Sequence, residues 1–486
     1  MTTTTTPTSR PLRPYALVLI TLIIGEATGA FEATMLTVAI PHLIQEFHVT
    51  TIDVGWAITG FFLVAGASAA IGGRLGDLFG RNRVLVIVLL LSVLGSLISA
   101  GIGTFPAIVA GRSIQGVSGA VLPLLMGLVR ESVDRTRVPI TIAVVAGTVS
   151  IAGAGGFFVA GVLIDHVGWH SIFLASGALA VLAAIATAIF LSPSPRLFKP
   201  GDRVDLLGGV LFVPALAVLL YGASSSNRLG WTSPIVWGCI VAGIAIGAFW
   251  VWWELRSPSP LLNLRLLTSR KLSLTMAMIA CYSIGPFGGF FLLQPVLLQY
   301  PKSAPVGLGL TATMAGLLSL VLALFGYAVS PFAGLVAGRN GARTAAISGL
   351  IPILFLMPLM FLFRDQLWVV ISLMLVMSLA TTFVITSIPN LVAEAVPVEN
   401  MSEGTGFYVV VRSVFQSVST SLVALILSSS VAPGTQFPRV TAFGTSIALM
   451  AAGALAALLC VVLIRRARVT SPVVDTGPAI ASEVQA

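Results

Sequence analysis

The 486-residue chain reads as an all-α integral membrane protein, with fourteen transmembrane helices set as two six-helix bundles and two extra helices between them. Composition is the first reason: 57% of the residues are hydrophobic and 9% are charged, whereas ordinary soluble domains carry about a quarter charged residues. The second is a series of fourteen apolar runs, each near the roughly 20 residues needed to cross a bilayer core. The third is the placing of the basic residues. With the N-terminus inside, 20 of the 26 Lys and Arg fall in cytoplasmic segments, so both termini are expected to be cytoplasmic. The net charge of +9 then sets orientation in the membrane. Because the basic residues punctuate apolar runs and form no patch, nucleic acid is not expected as a partner.

Spans are expected at about 16–40, 54–73, 84–103, 106–128, 138–163, 172–191 and 206–223, then 234–253, 273–297, 309–333, 344–363, 367–391, 405–428 and 440–464. All eight tryptophans fall close to span ends, as an interfacial aromatic belt requires. The expected organisation is a disordered cytoplasmic tail over 1–15, a six-helix bundle over 16–191, a linker with two additional spans over 192–272, a second six-helix bundle over 273–464 and a cytoplasmic tail over 465–486. The first span is too long, and too rich in acids, for a cleaved signal peptide. Cys239, Cys281 and Cys460 all lie in apolar stretches and are read as buried thiols.

The halves carry an internal echo. GGRLGDLFGRNR, residues 72–83, joins spans 2 and 3, and the weaker GLVAGRNGAR, residues 334–343, joins spans 10 and 11. Matching turns at matching places imply a repeat of six spans, with spans 7 and 8 inserted between the copies.

The first of these turns resembles the signature loop of the major facilitator superfamily, G-x-L-x-D-x-x-G-R-x-R, in Gly73, Leu75, Asp77, Gly80, Arg81 and Arg83. RSIQGVSGA in span 4 is similar to the family's R-x-x-Q-G-x-x-G-A, carried by Arg112, Gln115, Gly116, Gly119 and Ala120. FEATMLTVAIP in span 1 resembles the L-D-x-T-I-V-N-V-A-L-P pattern of the fourteen-helix drug:proton antiporter branch, with Glu32 in the place of aspartate and Thr37 in the place of asparagine. Two departures stand out. GFFVAG, residues 156–161, has Phe157 where the antiporter motif of span 5 has proline, and Gly338 replaces the acid of the second loop. The resemblance implies proton-driven efflux of small amphipathic or cationic drugs by alternating access. It implies that Gly73, Asp77, Gly80, Arg81 and Arg83 act as a conformational switch, in which Asp77 docks on the N-terminus of span 13 when the cytoplasmic face closes.

Charges within the spans point to the same chemistry. A charge at the bilayer centre costs roughly 2.5–3.5 kcal/mol on insertion scales, so such charges tend to be paired and functional. Glu32 lies nine residues inside Pro41 and Arg112 six inside Pro106, depths of about 13 and 9 Å at the helical rise. Those depths nearly match. Glu32 is therefore read as the proton-coupling acid with Arg112 controlling its ionisation, the alternative being a static ion pair between spans 1 and 4. Glu26 is deeper, about 22 Å in and rotated by about 120°. It is read as a contact for a cationic substrate, as a second proton site or as a carboxyl kept neutral.

Span 9, CYSIGPFGGFFLLQP, holds Pro286 and Pro295 among glycines, which suggests a kinked helix facing a cavity. Tyr282, Phe287, Phe290 and Gln294 there, with Glu26, Gln115, Arg412 and Gln416, make up the candidate substrate cavity. His42, His48, His166 and His170 gather no acids or thiols that would make a metal site. An enzyme is not expected, because no H-E-x-x-H or G-x-S-x-G occurs. Nor is an ATP-driven pump, since none of the three lysines follows glycine as a Walker motif needs. A transporter-fold sensor without transport, or an exporter narrow for one metabolite or antibiotic, remains as the alternative. The expected partners are a small molecule, protons and the lipid bilayer of a cell inner (plasma) membrane, with no cofactor and the chain acting as a monomer.

Overall fold

In the computed structural model of the chain, residues 14–134, 136–191, 194, 206–257, 260, 264–396, 401–432, 435 and 437–464 are described. The expected tails, and most of the linker after the first half, lie outside them. The described chain is helical, with a single isolated β-bridge between Val431 and Pro438.

The helices follow in order as α1 (Tyr15–Phe47), α2 (Thr51–Phe79), α3 (Arg81–Gly101), α4 (Phe105–Gln115), α5 (Val121–Ser132), α6 (Val138–His166), α7 (His170–Phe190), α8 (Leu206–Leu229) and α9 (Pro234–Arg256). The second half adds α10 (Arg270–Tyr282), α11 (Gly288–Gln299), α12 (Ala312–Asn340), α13 (Ala342–Leu362), α14 (Leu367–Ala393), α15 (Met401–Ser429) and α16 (Val440–Leu463). Span 4 is α4 and α5 joined by a 3-10 turn, Gly116–Ala120. Span 9 is α10 and α11 joined by a π turn, Ser283–Phe287. Thirteen of the spans are long and apolar enough to cross a membrane among the described residues. The fourteenth, α8, has a shorter apolar stretch at Leu211–Ser226. Several helices overrun the apolar runs that announce them. α1 continues through Pro41 to Phe47 and α12 reaches Asn340, since a helix can project past the hydrocarbon as long as its backbone bonds stay internal. The three cysteines are half-buried rather than buried.

Local sequence fixes the ends. Thr50 accepts from the Asp53 amide while the Asp53 carboxylate accepts from the Thr50 amide at 2.8 Å, a capping box that starts α2. Gly80, at φ +94°, turns the chain from α2 into α3, and Gly341, at φ +87°, does the same between α12 and α13. The repeat extends to side chains. The residue two after Gly80's partner in α2 and α12 ends the same way in both copies: Asn82 Nδ2 donates to the Thr187 and Leu191 carbonyls at the end of α7, and Arg343 donates to the Val461 and Val462 carbonyls at the end of α16. Orphan carbonyls of the sixth helix are thus satisfied in each half.

The two bundles meet along α2 with α15 and along α6 with α12. We call the end of the molecule at the α1–α2 connection the His48 face and the opposite end the Gly80 face. Toward the His48 face the contact is close. Thr59 bonds Ser421 at 3.0 Å, and Phe62 and Phe291 meet edge to face with centroids 5.5 Å apart. Gly161 of α6 lies on the Ala312 backbone, and Gly316 of α12 on the Phe157 backbone, with no room for a Cβ at either. Asp165 at the end of α6 accepts the Thr313 amide of α12 at 2.7 Å, a carboxylate on a helix N-terminus. Toward the Gly80 face, a Cβ added at Gly73, Gly334 or Gly338 would meet no described atom within 4 Å. α8 packs on both α2 and α15, with Trp56 and Tyr221 6.1 Å apart, and α9 packs outside it.

Candidate functional site

The first site is a buried polar network inside the N-terminal bundle. Its geometry starts in span 4. Gly116 and Gly119 seat the 3-10 turn directly on the α2 backbone at Phe61 and Ala65, and this turn ends α4 with Arg112 and Gln115 directed into the bundle. The Arg112 guanidinium lies 4.2 Å from the centre of the Phe61 ring, a cation–π contact. It donates through Nη1 to Gln115 Oε1 at 3.0 Å. Gln115 Nε2 in turn donates to Ser96 at 2.7 Å and to Ser176 at 3.3 Å. Ser176 donates to Glu32 Oε1 at 3.1 Å, and Ser92 donates to the same oxygen.

Glu32 and Arg112 therefore belong to one network, joined through Ser176 and Gln115. No ion pair within 4 Å forms between them. Glu32, Arg112 and Gln115 are all buried, so Gln115 lies within this network and not on an open cavity wall. The serines carry the connection, yet sequence reasoning passed over them. One signal was available: Ser92, Ser96 and Ser99 stand at i, i+4 and i+7 on span 3, a polar stripe down one helix face. Glu26, six residues earlier on α1, is buried with its Oε2 unpartnered among the described residues, and it is not part of the network.

The signature turn is built separately. Arg81 lies along Gly76 and Gly127, where any side chain would displace it, and it pairs with Glu131 at the end of α5 at 2.7 Å. Glu131 was not expected from the sequence. It also accepts from Ser194, whose backbone oxygen approaches Gly80. Arg83 is exposed and Gly73 faces open space. The Asp77 side chain and those of residues 401–406, on which its expected docking depends, lie outside the described residues.

The second cluster is in the C-terminal bundle. Pro286 supplies no amide hydrogen, and Gly285 takes ψ −119°, so span 9 breaks into the π turn between α10 and α11. The loosened Ile284 carbonyl accepts from Ser419 at 2.5 Å. The break stacks Phe287 on Tyr282, with centroids 5.7 Å apart, and sets Phe287 6.0 Å from the Arg412 guanidinium. Arg412 donates to Tyr408 Oη at 3.1 Å. Gln416 is buried one turn further along α15, and Phe290 is half-buried on α11. Gln294 donates to Ser319 at 3.0 Å and, with Thr37, Val38, Phe157 and Gln299, lines a cleft between the bundles. The expected cavity residues thus divide between two places: Gln115 in the N-terminal network, the span 9 and span 13 residues opposite.

A family model described as Major Facilitator Superfamily matches residues 22–420. The chain belongs to the major facilitator superfamily. Like its relatives, this facilitator has the fold of a transporter and not of an enzyme. It is 31% identical over 336 residues to the Uncharacterized MFS-type transporter YhcA of Bacillus subtilis (strain 168), covering 68% of this chain and 61% of that one. It is 27% identical over 343 residues to the Tetracenomycin C resistance and export protein of Streptomyces glaucescens, covering 70% and 62%. With the Multidrug resistance protein Stp of Mycobacterium tuberculosis (strain CDC 1551 / Oshkosh) the figures are 27% identity, 86% and 76%. The facilitator thus spans about six-tenths of the length of the first two relatives. Among solved structures it is similar in fold to a POT peptide transporter in complex with sulfate (TM-score 0.66, 14% identity, 94% of this chain and 96% of that one) and to a D-xylose-proton symporter (TM-score 0.64, 14% identity, 93% and 97%).

Proposed function

We propose that the chain is a proton-driven exporter of small amphipathic or cationic drugs, working by alternating access as a monomer, with Glu32 as the coupling acid. One observation carries this reading: a fully buried carboxylate, accepting from two serines and linked through Gln115 to a buried arginine. A carboxyl so placed holds its proton or its charge according to small movements of the donors around it. Relatives named for multidrug resistance and for antibiotic export support the direction of transport. In this reading the Gly80 face and both termini are cytoplasmic, following the arginine and lysine bias, and the close-packed His48 face makes the conformation inward-facing. Asp77 docks on the start of α15 when the Gly80 face closes. Glu26 serves as a cation contact or as a second proton site. The proposed units are the bundles over 16–191 and 273–464, with the two-span linker over 192–272 between them.

A narrower exporter of one metabolite or antibiotic is the second reading. It is favoured by Arg412, a fixed cation on the wall where a cationic drug would sit.

The test is gradient-driven efflux of ethidium and of fluorescein from proteoliposomes, comparing the native chain with Glu32→Gln. Transport of either probe that depends on the pH gradient and disappears in the variant, with the protein still correctly inserted, supports the coupling role. Full gradient-driven transport by Glu32→Gln would remove Glu32 from that role and leave Glu26 to be tested next.

A further inference from the structure

Span 13 presents two different faces. Val410, Ser413, Ser417 and Ala424 meet α2 across the seam between the bundles, whereas Tyr408, Arg412, Gln416 and Ser419 turn toward the broken span 9. The second face is chemically unbalanced. Arg412 Nε and Gln416 Nε2 are both buried, and neither has a hydrogen-bond partner among the described residues. Gln416 is only 2% exposed. Arg412 has a tyrosine hydroxyl and two aromatic rings around it, and it forms no ion pair among the described residues.

A cation inside a membrane protein is ordinarily paired, and a buried donor left unmade is costly. Here both orphan groups are donors, so what is missing is an acceptor with negative charge. Beside them stands an aromatic wall. Phe287 lies nearly parallel to Tyr282, at 27°, and Phe291 meets Phe287 edge-on at 6.1 Å, which suits a flat ring system. An arginine in this position can both stack on a ring and fork onto an oxyanion, which a lysine cannot.

We propose that Arg412 and Gln416 bind the oxyanion, a carboxylate or phenolate, of a flat aromatic substrate whose rings lie against Phe287 and Tyr282. This rests on the exporter reading above and names the substrate class for it: aromatic acids and acidic phenols in preference to lipophilic cations. Arg412 holds the charge and Gln416 supplies a second donor. The half-buried Phe287 and Tyr408 leave the guanidinium reachable from the space between the bundles.

The test uses two probes that share a xanthene frame and differ in charge, fluorescein (anionic) and rhodamine 123 (cationic). Their binding to the purified full chain is measured by fluorescence anisotropy. The native chain is expected to bind fluorescein at least about tenfold more tightly than rhodamine 123. Arg412→Met should abolish that preference, Arg412→Lys should restore part of it and Gln416→Leu should weaken fluorescein several-fold, with rhodamine 123 affinity unchanged throughout. Equal affinity of the native chain for the two probes overturns the proposal, as does fluorescein binding unaltered in Arg412→Met. If Arg412→Met fails to fold, the native comparison and Arg412→Lys still decide. Binding needs no gradient. Arg412-dependent binding without transport would therefore sink the exporter reading alone, and gradient-driven transport without such binding would sink only the oxyanion site.

Discussion

Gln115 accepts from Arg112 and donates to Ser96 and Ser176, so both ends of one amide hold the N-terminal network together. Gln115→Leu keeps much of the volume but leaves a buried guanidinium nitrogen without its acceptor. A loss of about 1–3 kcal/mol is expected, read as a lower melting temperature in detergent. Ser176→Ala removes one of the two donors printed on Glu32 Oε1 and should shift the pH dependence of transport toward higher pH, because a carboxylate with fewer donors keeps its proton longer. An unchanged pH profile would take Ser176 out of the coupling path. Glu32 and Arg112 were legible in the sequence because a charge in an apolar run is an outlier. The serines were not. Hydroxyls in such helices usually bond the carbonyl four residues back, as Thr21 and Thr28 do, and nothing in the sequence separates those from Ser92 or Ser176 except their common face. Glu131, the partner of Arg81, lay beyond the apolar run of span 4, where a charge is unremarked.

At the scale of elements, the break in span 9 could be read from Gly285 and Pro286, since proline withdraws a helix donor wherever it falls. What packs into the break could not. Gly285 lies on the backbone of α16 at Gly453, 168 residues away in the chain, with a Cβ on Gly285 placed 2.9 Å from the Gly453 Cα. Gly453→Ala should cost about 1–3 kcal/mol by overpacking. Combined with Gly285→Ala it should cost less than the sum of the two, since one separation of the helices relieves both clashes. Thermal unfolding of the single and double variants measures this, and strict additivity would show that the helices do not share the contact. The repeat was half legible in the same sense. The glycines of its two turns announced themselves, while the matched roles of Asn82 and Arg343 did not, because an amide and a guanidinium look unrelated until both are seen on the final carbonyls of a sixth helix.

For the whole molecule, span count and class followed from hydropathy, but the way the bundles close on each other depended on residues with nothing to display. Gly161 and Gly316 let α6 and α12 touch backbone to backbone. Gly161→Ala drives a methyl group into Ala312 and should shift the population toward an open His48 face. Spin labels at the exposed Val167 and Met314 should then report a longer distance than in the native chain, and an unchanged distance would show that the seam yields locally instead. The same face has an alkaline limit. Burial pushes the Tyr300 phenol up to about 12. Between its ordinary value near 10 and about 12 the folded chain keeps a proton that the unfolded chain releases, so stability falls as pH rises through that window. Tyr300→Phe should remove this part of the alkaline loss in a melting series.

The Asp165 bond to the first turn of α12 sets an energy scale for the cycle. An exposed carboxylate on a helix N-terminus is worth about 0.5–2 kcal/mol. One pH unit is worth about 1.4 kcal/mol per proton. The fastening across the seam and the driving force of a modest gradient are thus of the same order, so a single proton suffices to part the two halves and none of its energy need be dissipated in forcing interlocked side chains past each other.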